Sequence, residues 1–178
     1  KAKIGSNHGK KIEINDKIKF NIRSINKKDF RTKVFKSNTN KIRVLKGSQF
    51  DYFSKESQKH FFSKEYKISN LTDRMGMRLD GMTMKNIVNT NIRSEGITKG
   101  AIQIPADGLP IILLTDFPTI GGYPKIANVS SADYNLLIQK KPGEKIFFEL
   151  ITLHEAEQLY KEHLNNISEI IKNIKEII

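Results

Sequence analysis

The chain has 178 residues, no cysteine and a formal net charge of +12 at pH 7. That length fits one domain, or one domain with an appendage, and suffices to bury a true core; the missing cysteine excludes disulfides and thiolate catalysis. The charge excess lies wholly in residues 1–67, which hold 19 Lys+Arg against 6 Asp+Glu, whereas residues 68–178 hold 12 against 13.

In chain order, residues 11–15 and 17–22 alternate apolar and polar side chains, which predicts two short strands around an Asn15-Asp16 turn. Residues 36–40 (KSNTN) read as a linker. A strand over 42–45 closes at Gly47, and a brief helix over 54–62 places Phe53, Ser57 and Phe61 on one face. Short strands follow at 66–68 and 77–79. Residues 100–104 run into Pro105-Ala106-Asp107-Gly108, a turn signal, and a strand resumes over 109–115, so the two form a hairpin. The run 111–114 is apolar on both faces and predicts a strand buried on both sides. A Gly/Pro loop covers 117–124. A short helix over 131–139 opens at Ser130, with Asp133 completing a capping box. Lys141-Pro142-Gly143 turns into a last strand, 145–150, and Thr152-Leu153-His154-Glu155 is a capping box opening a helix that runs to the C-terminus. Along it Tyr160, Leu164, Ile167, Ile171, Ile174 and Ile178 alternate spacings of four and three, the seam of a short coiled coil, fit for packing on the chain's own barrel or for self-association.

Many short strands interrupted by two short helices predict a mainly β fold, a small closed barrel carrying a C-terminal helix. The positive charge is nearly all lysine, with six arginines in the chain. Phosphate readout by planar, bidentate groups favours arginine, so a solvated lysine-rich surface and no nucleic-acid partner are expected. The four histidines show no zinc-ligand spacing, and no apolar run reaches the length of a membrane helix. No metal and no membrane partner are therefore expected, and a reducing cytoplasm is the expected setting.

Three clusters carry chemistry. In Asp73-Arg74-Met75-Gly76-Met77-Arg78, two scarce arginines stand four apart beside a glycine, suited to a carboxylate, carbonate or phosphate. The plain alternative is a structural Asp73–Arg74 or Arg78–Asp80 pair. In the second, Gln103 is polar within an apolar strand; turned inward it must find a hydrogen bond in the barrel or from a ligand, turned outward it is only the strand's polar face. Asp107 reads as a turn residue. In the third, Asp116 ends a buried strand before Thr119, Gly121, Gly122 and Tyr123, so that backbone N–H groups face an anion while Asp116 serves as general base or anchors a partner's lysine or arginine. The alternative is a tight loop whose glycines serve only positive φ. Walker A spacing is absent, and Met82-Thr83-Met84-Lys85 lacks the second flanking methionine of a biotin-carrier tip.

Taken together and in order, "RVLKGSQFDYF", "YKISNLTDRMGMRLDG", "GITKGAIQIPADGLPIILLTDFPTIGGYPKIANV" and "ADYNLLIQKKPGEKIFFELITLHEAE" resemble successive blocks of the allophanate hydrolase subunit 2 family, the carboxyltransferase subdomain A/B family that includes the C subunit of 5-oxoprolinase. The resemblance covers about residues 41–157, and "KAKIGSNHGKKIEINDKIKF", with Gly5 and Gly9, is similar to the family's middle segment. It implies two cyclophilin-like barrels in the full-length protein. Residues 1–40 would be the connector, 41–151 the second barrel and 152–178 a C-terminal helix, with the first-barrel half missing here. It implies a partner, an allophanate hydrolase subunit 1 homologue (the counterpart of the B subunit of 5-oxoprolinase), and a small amide substrate. The implied chemistry is ATP-dependent conversion of 5-oxoproline to glutamate, or carboxyl transfer from carboxybiotin on a partner domain to an amide such as urea. Arg74, Gln103 and Asp116 are then the expected catalytic residues, and Arg78, Thr119, Gly121, Gly122 and Tyr123 the expected substrate-binding ones, converging on one concave surface. Ser48 stands where the family pattern has Pro, and Ile120 where it has Thr. A regulatory or interaction protein that keeps the fold without catalysis is the alternative.

Overall fold

The structure is a computed structural model that describes residues 12–17, 29–31, 39–88 and 91–177. Its elements in chain order are β1 (Asp29–Arg31), β2 (Lys41–Lys46), a 3-10 turn (Phe50–Tyr52), α1 (Lys55–Ser63), β3 (Tyr66–Ile68), β4 (Gly76–Asp80), β5 (Glu95–Gly96), β6 (Ala101–Gln103), β7 (Ile111–Leu113), β8 (Ile120–Gly121), β9 (Lys125–Val129), α2 (Ser131–Leu137), β10 (Lys145–Leu150), α3 (Leu153–Lys172) and β11 (Lys175–Ile177). They fall into two compact units, Lys1–Arg31 with Ile174–Ile178, and Thr32–Asn173.

In the first unit β1 pairs antiparallel with β11. The expected turn is present: Asn15 takes φ 76°, a left-handed conformation that asparagine tolerates. The Asp16 N–H donates to the Glu13 carbonyl at 3.2 Å, and the Asp16 carboxylate accepts from the Glu13 N–H at 2.9 Å. Residues 12, 13, 16 and 17 are not strand, and the rest of the two expected strands, like residues 36–38 of the linker, lies outside the described residues.

The second unit is a closed seven-stranded barrel in the order β10-β2-β9-β6-β7-β4-β3, with β3 returning to β10. The β2–β10 pair is parallel and its neighbours antiparallel. Alternation sends Ile42 and Val44 of β2, and Ile146 and Phe148 of β10, into the core. Helix α1, capped by the Ser54 hydroxyl accepting from the Ser57 N–H at 3.1 Å, lays Phe61 flat on Phe148 at a centroid distance of 4.5 Å. The expected hairpin is formed, Ile102 opposite Ile112 and Gln103 opposite Ile111. Gly108 (φ +78°) closes its turn, and Asp107 accepts from the Leu109 N–H at 3.0 Å, a turn residue as its sequence position implied. Strand β7 is enclosed by the barrel on one face and by a small second core of Ile97, Ala101 and Leu113 on the other, although Ile111 is only half-buried.

Four expectations need correction. The Gly/Pro loop 117–124 holds a short strand, β8, that pairs with β5, and β9 completes the barrel where no strand was expected. Ser130 caps α2 through backbone geometry alone: its hydroxyl is buried without a partner among the described residues, because Asp133 is drawn to Arg43 instead of closing a capping box. Helix α3 does form its capping box at Thr152–Glu155, yet it ends at Lys172 and gives way to β11. It packs beside α2, but none of its residues is buried, and Tyr160, Leu164, Ile167 and Ile171 of the seam are exposed.

Candidate functional site

Arg74 and Asp116 meet across two loop ends. Strands β4 and β7 pair from Gly76 opposite Leu113, and beyond them the Asp116 N–H donates to the Arg74 carbonyl at 3.0 Å. That backbone bond sets the side chains face to face: Arg74 Nε lies 2.9 Å from Asp116 Oδ2, and its terminal nitrogen donates to Oδ1 at 3.2 Å, a bidentate fork open to solvent. Asp73 is occupied elsewhere, accepting from the Met75 and Gly76 N–H groups at 2.8 and 3.0 Å. Neither of the local pairs left open by the sequence, Asp73–Arg74 or Arg78–Asp80, is found among the described residues. Arg78 sits exposed on β4, and Thr119 and Tyr123 are exposed on the loop after Asp116.

Gln103 is buried, but on the outer face of the barrel: it alternates with Ile102 and Ile104 of the barrel core and lies with Ile97 under Gly121. It is 6% exposed, and its Nε2 group has no partner among the described residues. Leaving a buried amide donor unpaired costs about 1–3 kcal/mol, so the position is not one that packing alone favours. Gly121 lies directly against it: a Cβ there would stand 2.8 Å from Gln103 Nε2 and 3.1 Å from Ile97 Cδ1. At Gly122 a Cβ would meet the Ile92 carbonyl oxygen at 3.0 Å. Neither glycine has positive φ, so the loop needs them for close approach rather than for left-handed backbone. The Ile92 N–H donates to the Gly122 carbonyl at 2.8 Å, and Gly121 is opposite Glu95 in the β5–β8 ladder.

Around this point the structure gathers three residues that the sequence did not mark. Lys125, 4% exposed, is opposite Gln103 across β6 and β9, and its ammonium forms an ion pair with Glu95 Oε1. Gln49 ties the pair together, donating from Nε2 to Glu95 Oε1 at 3.0 Å and accepting the Lys125 N–H on its Oε1 at 3.2 Å. The Lys125 ammonium first, then the Gln49 amide, hold the Glu95 carboxyl below the usual glutamate range. The signals were a polar residue after Gly47-Ser48 and a lysine entering the apolar run Ile126–Val129, neither readable without its partners tens of residues away.

The expected site residues therefore form two groupings on the β6–β7 region. Arg74 with Asp116 stands beyond the Leu113 end of β7, and Gln103 with Gly121 stands at its Ile111 end. No hydrogen bond joins them among the described residues. The first grouping offers a cation and a carboxylate to solvent; the second offers a buried donor beside a buried ammonium.

The Arg74 fork is engaged on Asp116, while at the glycine pair the Gly122 carbonyl accepts from the Ile92 N–H and Gly121 lies in the β5–β8 ladder. Among the described residues no three His, Cys, Asp or Glu side chains cluster as metal ligands, and no helix is long and apolar enough to cross a membrane.

A family model described as "Carboxyltransferase domain, subdomain A and B" matches residues 1–150. The C subunit of 5-oxoprolinase from Haemophilus influenzae is 38% identical over 133 residues, covering 73% of this chain and 43% of that protein. The Escherichia coli protein of the same name is 38% identical over 117 residues, covering 66% of this chain and 38% of its own length. Among solved structures, the Kluyveromyces lactis urea amidolyase superposes with a TM-score of 0.72 at 27% identity, over 77% of this chain and 9% of that one. The chain thus spans about two fifths of the length of these two curated relatives.

Proposed function

Because the chain belongs to the carboxyltransferase domain, subdomain A and B family, we propose that it is the amide-recognising part of an allophanate hydrolase subunit 2-type protein that acts on a small amide. Its partner in this reading is a subunit 1 homologue, the counterpart of the B subunit of 5-oxoprolinase. The reaction is ATP-dependent opening of 5-oxoproline, or transfer of a carboxyl group from carboxybiotin on a partner domain to an amide such as urea. The relatives named for 5-oxoprolinase match at higher identity than the urea enzyme, which favours the first. The observation that carries the reading is the Gln103 Nε2 group, buried without a partner among the described residues against a glycine that leaves it room. Such an orphan donor matches a carbonyl oxygen brought by a ligand.

The Arg74–Asp116 fork fits a second role. An ion pair this exposed contributes at most about 1 kcal/mol to stability. It holds a cation and a carboxylate at the surface, where Asp116 shuttles a proton or orients a lysine or arginine of the partner, and Arg74 faces the negative charge that develops on oxygen during amide activation or carboxyl transfer. Arg78, Thr119 and Tyr123, exposed nearby in sequence, are assigned to the substrate's outer face. Catalysis belongs to the complex that includes the first-barrel half, in the cytoplasm. The interaction-only alternative is favoured by one feature, the exposed apolar seam of α3.

The test is reconstitution with a subunit 1 homologue and a first-barrel fragment. The complex should hydrolyse ATP in a 5-oxoproline-dependent manner, and Arg74→Ala and Asp116→Ala should each lower kcat/KM about tenfold or more. Complex formation without turnover of 5-oxoproline or urea would favour the interaction-only reading, and unchanged kinetics in both variants would remove the fork from the site.

A further inference from the structure

We propose that Gln103, Lys125 and Glu95, positioned by Gln49, form one polar chamber beneath the β5–β8 ladder that takes an amide or ureido group, with Gln103 and Lys125 donating to its oxygen and Glu95 accepting from its N–H. This rests on the amide reading above and assigns residues to it.

One ion pair, two strand-register pairs and one close approach close into a ring. Gln103 is opposite Lys125 across β6 and β9, at a register shift that leaves Ile126 as an extra residue, and both side chains are buried. The Lys125 ammonium reaches Glu95 Oε1. Glu95 is opposite Gly121 in the β5–β8 ladder. Gly121 in turn faces Gln103, whose Nε2 lies 2.8 Å from where a Cβ would stand. Residues from β5, β6, β8 and β9 therefore surround one spot.

The hydrogen-bond inventory of that spot leaves both donors and an acceptor open. A lysine ammonium has three N–H donors and a glutamine amide two. Lys125 Nζ has Glu95 as its one acceptor among the described residues, and Gln103 Nε2 has none. On the acceptor side, Glu95 Oε1 takes both Lys125 and Gln49, while Oε2 takes nothing among the described residues. A ligand that fits must bring an oxygen acceptor for the buried donors, and an N–H on it replaces water at the half-exposed Glu95 carboxylate. A carboxylate supplies the oxygen but is repelled by Glu95, and a ketone leaves Oε2 to water. An amide or urea satisfies both. The low pKa direction of Glu95 keeps it an acceptor throughout the neutral range.

The route in is short. The Lys125 side chain is 5% exposed but that of Glu95 is 42% exposed, so the chamber reaches solvent along the carboxylate. Its cover is a ladder of two residues on each strand, with a glycine on each strand, and β5 and β8 pair with each other rather than with the barrel. The simple structural role, an ion pair that staples β5 to β9, explains Lys125, Glu95 and Gln49 but leaves the Gln103 donor without a reason.

The full 178-residue chain, labelled with 15N, is titrated with 5-oxoproline and with urea, and with proline as the ring that lacks an amide carbonyl. The side-chain amide of Gln103 and the backbone of Gly121 should shift saturably with the first two and not with proline. Gln103→Leu, which removes a buried unpaired group, should keep or raise the Tm while weakening binding about tenfold or more. Lys125→Met should weaken binding likewise. Where Lys125→Met fails to fold, Gln103→Leu alone decides. Unchanged binding in Gln103→Leu, or equal shifts with proline, would overturn the chamber. So would the absence of a saturable shift at Gln103 and Gly121 up to the solubility of the probes. Shifts gathered at Arg74 and Asp116 would also overturn it while leaving the amide reading intact; shifts at Gln103 in a chain whose complex turns over no amide would support the chamber and sink that reading.

Discussion

Two glycines that look equivalent in the sequence differ in what surrounds them. A Cβ on Gly47 would stand 2.2 Å from the Lys125 carbonyl oxygen and 2.8 Å from the Ala127 amide nitrogen, both backbone of β9. The Gly47 N–H also donates to the Ile126 carbonyl at 2.9 Å. Gly47→Ala must push two strands apart and should cost about 3 kcal/mol or more by urea denaturation. At Gly121 the nearest atom is the end of the Gln103 side chain, which can turn away, so Gly121→Ala should cost under about 1 kcal/mol. A loss at Gly121 as large as at Gly47 would show that the β5–β8 cover is integral to the barrel. Only part of this was legible beforehand. Gln103 stood out as a polar residue within an apolar strand, Asp116 as the end of a buried strand, and Arg74 as one of two scarce arginines beside a glycine. Gln49, Glu95 and Lys125 acquire meaning only by meeting, and Gln49 and Lys125 are 76 residues apart.

The helices separate a cap that works from one that does not. Thr152 and Glu155 bond reciprocally, the Glu155 N–H to the Thr152 hydroxyl at 3.2 Å and the Thr152 N–H to the Glu155 carboxylate at 2.7 Å. Ser130 Oγ has no partner among the described residues. Thr152→Ala should therefore lower the helicity of α3 and cost about 1 kcal/mol, whereas Ser130→Ala should be close to neutral; circular dichroism with urea titration distinguishes them. Helix α2 is anchored instead by Asp133, which is 2% exposed and accepts the Arg43 N–H at 2.8 Å and its Nε at 2.9 Å. Asp133→Ala leaves Arg43 unpaired beside a buried gap and should cost about 3 kcal/mol. Sequence patterns gave Ser130 and Thr152 the same motif, because a capping box does not reveal a competing arginine 90 residues away. The same limit explains the strands. The β6–β7 hairpin was readable from Pro-Ala-Asp-Gly and a long apolar run. Strands β5 and β8 have two residues each, too few for periodicity, and β9 buries four of its five residues and shows no alternation.

For the whole barrel, Tyr66 provides a pH handle. It is fully buried, its hydroxyl lies 3.5 Å from the Met84 sulfur, and burial pushes its pKa up to about 12. A raised pKa means that the folded chain keeps a proton the unfolded chain loses, so this contribution is intact below about pH 10 and disappears as pH rises toward 12. Stability of the chain relative to Tyr66→Phe should fall by about 2–3 kcal/mol across that interval; a constant difference would mean the ring is hydrated in the fold. The barrel was legible as a class from many short apolar strands, and its closure follows from the need to hide their edges. What lay beyond the sequence was the division of the expected site into an exposed fork and a buried donor. The central claim is that the buried donor reads the amide. Its most direct measurement is kcat/KM for 5-oxoproline-dependent ATP hydrolysis in the reconstituted complex, wild type against Gln103→Leu. A fall of about tenfold or more, in a variant at least as stable as the wild type, is the predicted result. Equal kcat/KM in the two complexes would contradict it.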